Sequence, residues 1–128
     1  MDLSQLIFLT VRGYFITVTI ETPVLVLGLS KRHSIRDRVF AGFWLTACSY
    51  PVVAFVIPYF IDPFSQRFLY LLVAETFAPL SECLLFWLAF GKKSELWPRS
   101  MYRDLGVVVL ANLCSFGIGE LLYACNVL

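Results

Sequence analysis

Charge is scarce in this chain. Asp, Glu, Lys and Arg make up 15% of its 128 residues, and there is a single histidine, His33. The four cysteines, Cys48, Cys83, Cys114 and Cys125, form no CxxC pair, and neither GxSxG, HExxH nor a phosphate loop of the GxxxxGK(S/T) type occurs. These absences remove the motifs of structural zinc, thiol redox, serine-hydrolase, zinc-protease and nucleotide chemistry. No catalytic residue, metal site or cofactor is therefore expected, and the thiols read as buried hydrophobes. A net charge of +1 offers no basic surface for nucleic acid. Long polar stretches are missing too, which leaves no room for a catalytic domain outside a membrane.

Apolar sequence fills the chain instead. Hydrophobic residues reach 59%, above the soluble average of about 45–50%. They gather in four stretches, residues 6–29, 39–61, 68–90 and 105–128, each close to the roughly 20 residues that cross a hydrocarbon core as a helix. The expected fold is all-α: a single domain of residues 1–128, a polytopic integral membrane protein with four transmembrane helices. The start, MDLSQ, has no basic n-region and no small-residue cleavage site follows it, so the first stretch reads as a retained helix.

The few charges fix an expected orientation. Of ten Lys and Arg, four lie between the first two stretches (Lys31, Arg32, Arg36, Arg38) and four between the last two (Lys92, Lys93, Arg99, Arg103). Basic loops stay cytoplasmic, which puts both termini outside, as for a protein of the bacterial plasma membrane. The basic loops should attract anionic headgroups of the lipid bilayer. His33, inside the first of them, reads as solvated, and residues 91–104, with Trp97 and Met101, should lie on the interface.

The third stretch organises the rest. FLYLLVAETFAPLSECLLFWLAF carries Glu75 and Glu82 seven residues apart, with Pro79 between them. Seven residues are close to two helical turns, so the carboxylates share a face about 10 Å apart. A carboxylate at membrane depth costs at least about 2.5 kcal/mol unless it finds a partner, water or a proton, so that face must point into protein. Glu21 in the first stretch poses the same problem, and Pro23 beside it frees the carbonyl of Thr19. Arg12 lies nearer the end of that stretch and reads as snorkelling. The second stretch holds Thr46, Ser49 and Tyr50 just before Pro51 and Pro58, a kinked segment whose freed carbonyls must be met inside the bundle. In the fourth, Ala111, Ser115 and Gly119 recur at fours, a small-residue stripe suited to close helix packing, with Asn112 and Glu120 beside it.

The two halves also answer each other. Glu21 lies ten residues before Lys31, and Glu82 ten before Lys92; Thr46-Ala47-Cys48-Ser49-Tyr50-Pro51 corresponds to Asn112-Leu113-Cys114-Ser115-Phe116-Gly117. This predicts a duplicated helical hairpin, its copies parallel and related by an axis along the membrane normal, as in some transporters. By depth, Glu21, Glu82, Thr46 and Asn112 form an inner layer, Ser49 and Ser115 a middle one, and Glu75 and Glu120 an outer one.

Glu21-Thr22-Pro23, Pro51, Ala74-Glu75, Glu82, Leu110-Ala111-Asn112 and Ser115-Phe116-Gly117 resemble the pattern of a group of small bacterial four-helix membrane proteins. That resemblance implies the fold and no activity. Where the group tends to show histidine in its second span, this chain has Ser49 and Tyr50, which speaks against a metal site. Two functions remain open. One is a non-enzymatic proton or cation transporter or channel component, using Glu21, Glu82, Glu75 and Glu120 and working as a homo-oligomer. The other is an accessory subunit whose partners are other membrane subunits. An intramembrane enzyme ranks below both. The orientation is directly testable: a cysteine introduced at Ser34 or Ser94 should resist an impermeant thiol reagent added from outside, and efficient labelling of either would reverse the topology.

Overall fold

The computed structural model describes residues 2–30, 33–90 and 99–125. Its regular structure is helical: α1 (Leu3–Gly28), α2 (Ile35–Pro51), one π-helical turn (Val52–Val56), α3 (Ile57–Phe60), α4 (Arg67–Phe90) and α5 (Arg99–Ala124). Because α2, the π turn and α3 run on as one rod, four helices are long and apolar enough to cross a membrane: Leu3–Gly28, Ile35–Phe60, Arg67–Ala89 and Met101–Ala124. They match the four apolar stretches, but α2 and α5 start earlier than apolarity indicates. Polar first turns can be helical when capped, and Ser34 accepts from the Asp37 N–H at 3.1 Å.

Local chemistry explains the other boundaries. Asp2 caps α1 in a reciprocal capping box with Gln5. The Gln5 N–H and the Ser4 hydroxyl hold the Asp2 carboxyl below its usual range. In the turn before α4, Asp62 accepts from the Phe64 N–H and the Ser65 hydroxyl, each at 2.9 Å, and its carboxyl is likewise lowered. The π turn has an identifiable cause. In its register the Ile57 N–H reaches the Val52 carbonyl, so the Val53 carbonyl would look to residue 58, a proline without an N–H. Tyr70 of α4 supplies the missing donor, its hydroxyl 3.0 Å from that carbonyl.

α1 packs against α2 and α5, and α4 packs against the same two helices. The rods therefore stand in a ring, with α1 across from α4 and α2 across from α5. The surface is apolar to an extent no soluble monomer shows: Leu27 is 83% exposed and Phe68 82%, and large aliphatic and aromatic side chains are exposed along every rod. Inside, nearly as many buried side chains are polar or charged as apolar. Cys48 and Cys125 are exposed and Cys83 and Cys114 half-buried, all four as free thiols, so the expected burial of the thiols does not hold.

The apolar core lies toward the end that carries the Ser30–Arg38 loop, where Leu25, Leu29, Leu45, Phe86, Met101 and Val108 pack together. Met101, expected on the interface, belongs to this core; residues 91–98, expected there too, lie outside the described residues. A polar latch closes the same end. The backbone N–H and hydroxyl of Ser30 donate to Asp104 at 2.7 and 2.9 Å, and His33 Nε2 lies 2.8 Å from Asp104 Oδ2. His33 is only 7% exposed and Asp104 fully buried, so the expectation of a solvated histidine fails. Its ring stands edge-on to Phe86 at 5.5 Å. Arg38 braces the loop by donating to the carbonyls of His33 and Val26, both at 3.0 Å.

Glycine permits the α1–α2 approach at one point. A Cβ on Gly42 would collide with the Thr22 side chain and stand 3.1 Å from its Cα. The Thr22 hydroxyl is buried there without a hydrogen-bond partner, so shape takes precedence over polarity at this crossing. Gly119, in contrast, faces open space, with nothing within 4 Å of a Cβ built on it. Within the single chain the stripe is divided: Ala111 is buried in the core, whereas Ser115 and Gly119 border cavities. Gly42→Ala should therefore destabilise the protein in mild detergent by about 1–3 kcal/mol. Gly117→Ala, also at an open position, should be neutral or stabilise by up to about 1 kcal/mol. Thermal unfolding compares the two, and equal shifts would refute the close α1–α2 contact.

Candidate functional site

Each helix of the ring sends polar side chains to one place. Glu21 comes from α1 and Glu82 from α4, the two helices that face each other, and each is 2% exposed. α2 contributes one hydroxyl to each: Thr46 Oγ1 donates to Glu21 Oε2 at 3.0 Å and Ser49 Oγ to Glu82 Oε2 at 3.1 Å. Thr46 and Ser49 lie three residues apart on α2, close to one turn, so both reach inward from the same face. From the other side α5 turns Asn112 and Ser115 to the same place, where they line one cavity with both carboxylates. Asn112 Nδ2 also donates to the Val108 carbonyl of its own helix at 3.0 Å. Glu75 lines the same cavity as the two carboxylates.

These groups line a cavity of about 100 Å³, with Thr17, Tyr50, Val53 and Glu75 among its other walls. At about 10–15 Å³ per water it has room for several waters or a small cation. Thr17, Tyr50, Glu75 and Ser115 also border a second cavity of about 300 Å³, farther from the core, so the two form inner and outer chambers that share a wall. Tyr50 stands at that shared wall, its hydroxyl pressed against Gly13, where any side chain would displace it. The outer chamber ends at Arg67, which donates through Nη2 to both carboxylate oxygens of Glu120, at 2.8 and 3.0 Å. The guanidinium carbon also lies 4.1 Å from the centre of the Tyr123 ring. At the other end of the inner chamber, the core of Leu25, Leu45, Phe86 and Val108 occupies the axis of the bundle.

All eight polar candidates from the sequence are brought to these chambers: Glu21, Glu82, Glu75, Asn112, Thr46, Ser49 and Ser115 to the inner one and Glu120 to the outer mouth. Sequence reasoning missed the tyrosines that line the outer chamber, Tyr50, Tyr70 and Tyr123, and Arg67 as the partner of Glu120. One signal for Arg67 was available, since it is the only Lys or Arg in the middle loop. Nothing in the sequence singled out the Ser30–His33–Asp104 latch. Oxygen donors dominate the inner chamber, carboxylates, hydroxyls and one amide, a set that holds protons and hard or ammonium cations and offers no soft ligand. Among the described residues, no three His, Cys, Asp or Glu side chains converge to hold a metal ion.

The structure thus defines an all-helical protein with four rods of membrane-crossing length around a carboxylate-lined interior. No family model, no curated protein and no solved structure matches the chain. Thr46→Val and Ser49→Ala should each cost about 1–3 kcal/mol, because each leaves a buried carboxylate oxygen without its donor. Melting temperatures in detergent would check this, and unchanged values would mean that water already satisfies the carboxylates.

Proposed function

We propose that this chain is an integral membrane protein that carries protons or small cations along its carboxylate-lined interior. Both termini lie outside and the basic loops face the cytoplasmic side of a bacterial plasma membrane. The observation that carries the reading is the meeting of Glu21 and Glu82 inside a shell of apolar helix surface, each accepting a hydroxyl hydrogen bond from α2 and lining one cavity with Asn112 and Ser115. Carboxylates are costly at that depth, and their charge must be met by a proton, a cation or water. The inner chamber gives such a species room, and Glu75 and Glu120 extend the acidic line toward the mouth.

The placement of the inner-layer residues supports the duplicated hairpin as well. Exchanging α1 with α4, and α2 with α5, turns the pair Glu21–Thr46 into Glu82–Asn112 and the pair Glu21–Ser115 into Glu82–Ser49. The first and last of these pairs are hydrogen bonds, and all six residues line the inner chamber. The apolar layer follows the same exchange, with Leu25 answering Phe86 and Leu45 answering Ala111, all fully buried. The outer layer breaks it: Glu75 and Glu120 have Tyr14 and Ala54 as their counterparts. Two equivalent halves around a central site suit a device that works by shifting one half against the other.

The closed end favours a second reading. The core and the Asp104 latch seal the path toward the basic loops, as they would in an accessory subunit whose polar groups only specify helix pairing within a larger complex. Reconstitution decides between them. In proteoliposomes carrying a pH-sensitive dye, the chain should dissipate an imposed pH or alkali-cation gradient. Glu21→Gln and Glu82→Gln should each cut the rate about tenfold or more while the melting temperature persists. Wild-type rates in both variants would remove the transport reading, and unrelated subunits co-purifying in mild detergent would favour the accessory one.

A further inference from the structure

The outer chamber carries more information than an acidic path requires. Three tyrosine rings, Tyr50, Tyr70 and Tyr123, share its walls with Glu75 and Glu120. At about 300 Å³ it reaches the size at which small-molecule pockets begin, far beyond the needs of a proton. A bare alkali or divalent ion prefers a close cage of oxygen ligands, whereas much of this lining is aromatic and aliphatic surface. Carboxylates set among aromatic faces suit an organic cation, whose charge is diffuse and whose alkyl groups gain from burial against the rings.

The protein already places such a cation there. The Arg67 guanidinium lies over the Tyr123 ring at 4.1 Å and is held by both oxygens of Glu120. Arg67 and Glu120 are each about one-third exposed, at 35% and 38%, so the pair sits at the mouth, within reach of solutes. Arg67 is also the only basic side chain lining either chamber among the described residues. Glu75 lies further in, within electrostatic reach of both Glu120 and the inner carboxylates.

We infer that the outer chamber is a binding site for a small organic monocation, an alkylammonium or quaternary ammonium group, and that Arg67 is a tethered cation which this ligand displaces from Glu120 and Tyr123. The ligand's charge lies between Glu120 and Glu75, and its apolar groups rest on Tyr50 and Tyr70. This deepens the transport reading by naming the class of cation admitted at the mouth, and it rests on that reading only for what happens after binding. The ammonium group can belong to a free amine or to a phosphatidylethanolamine or phosphatidylcholine headgroup, since the mouth lies at one end of the apolar rods.

The test is a binding measurement, so it stands apart from the flux assay. Tetramethylammonium chloride is titrated calorimetrically into the full chain in a maltoside detergent at constant ionic strength, with sodium chloride as the control. Saturable binding of tetramethylammonium is expected, and sodium should not compete for it. Glu75→Gln should weaken binding about tenfold or more. Arg67→Gln should strengthen it, about threefold or more, because the tethered competitor is gone. A purely structural ion pair predicts the opposite sign. Gly119→Leu fills the chamber from an open position and should abolish binding without lowering the melting temperature, which guards against loss of fold in the charge variants. In nanodiscs of phosphatidylglycerol alone the affinity should match that in detergent. If it falls when phosphatidylethanolamine or phosphatidylcholine is added, the headgroup is the ligand, and if it does not, a free amine is. No saturable binding by the wild type, equal competition by sodium, or weaker binding by a folded Arg67→Gln variant would each overturn the inference. Ammonium binding without flux would leave it intact and count only against transport.

Discussion

Two carboxylates from facing helices meet in the middle of a bundle whose outer surface is apolar, and most of the structure follows from keeping them there. Each needs donors, and donors can come only from the two intervening helices. Hence Thr46 and Ser49 lie about one turn apart on α2 and donate to one carboxylate each, while Asn112 and Ser115 of α5 line the same cavity. The ring arrangement is what brings side chains of all four rods to one cavity. A layer of Leu25, Leu45, Phe86 and Val108 seals one side of the polar layer, while the chambers continue on the other.

That difference between the two ends is the clearest asymmetry of the fold. One end is closed twice, by the apolar layer and by Asp104 gathering Ser30 and His33. Among the described residues, the other is closed by Arg67 on Glu120 and Tyr123. A half-exposed ion pair is worth at most about 1 kcal/mol, whereas a buried carboxylate that loses its donors costs several times that. Access to the acidic interior is thus far easier from the Arg67 end. Opening the opposite end requires the latch and the core to give way together.

Helix irregularity serves the same interior. The π turn at Val52–Val56 leaves the Val53 carbonyl without a backbone donor because residue 58 is a proline. Tyr70 satisfies it from α4 and at the same time presents its ring to the outer chamber. Backbone that departs from the α register is tolerated in an apolar setting where it borders a cavity and finds a side-chain partner, and both conditions hold here.

The sequence by itself determined the four helices, their approximate limits and the polar residues that turn inward. Those properties are local: apolar length sets a span, and the 3.6-residue period puts Glu75 with Glu82, or Thr46 with Ser49, on one face whatever the neighbours do. It also placed Glu21, Glu82, Thr46 and Asn112 at one depth, because depth along a helix can be counted from its ends, and all four line one cavity. Tertiary structure decided which polar groups bond to which, and where the small residues lie. Gly119 belongs to a stripe that looks made for helix packing, yet it faces open space, because the rotation of α5 about its axis is set by the whole ring. His33 looks like a solvated loop residue, yet it is buried on Asp104, 71 positions away. Arg67 finds Glu120 across 53 positions. Such pairings depend on the relative height and rotation of two helices to within about half a turn, which no local pattern encodes and only simultaneous packing of all four rods fixes.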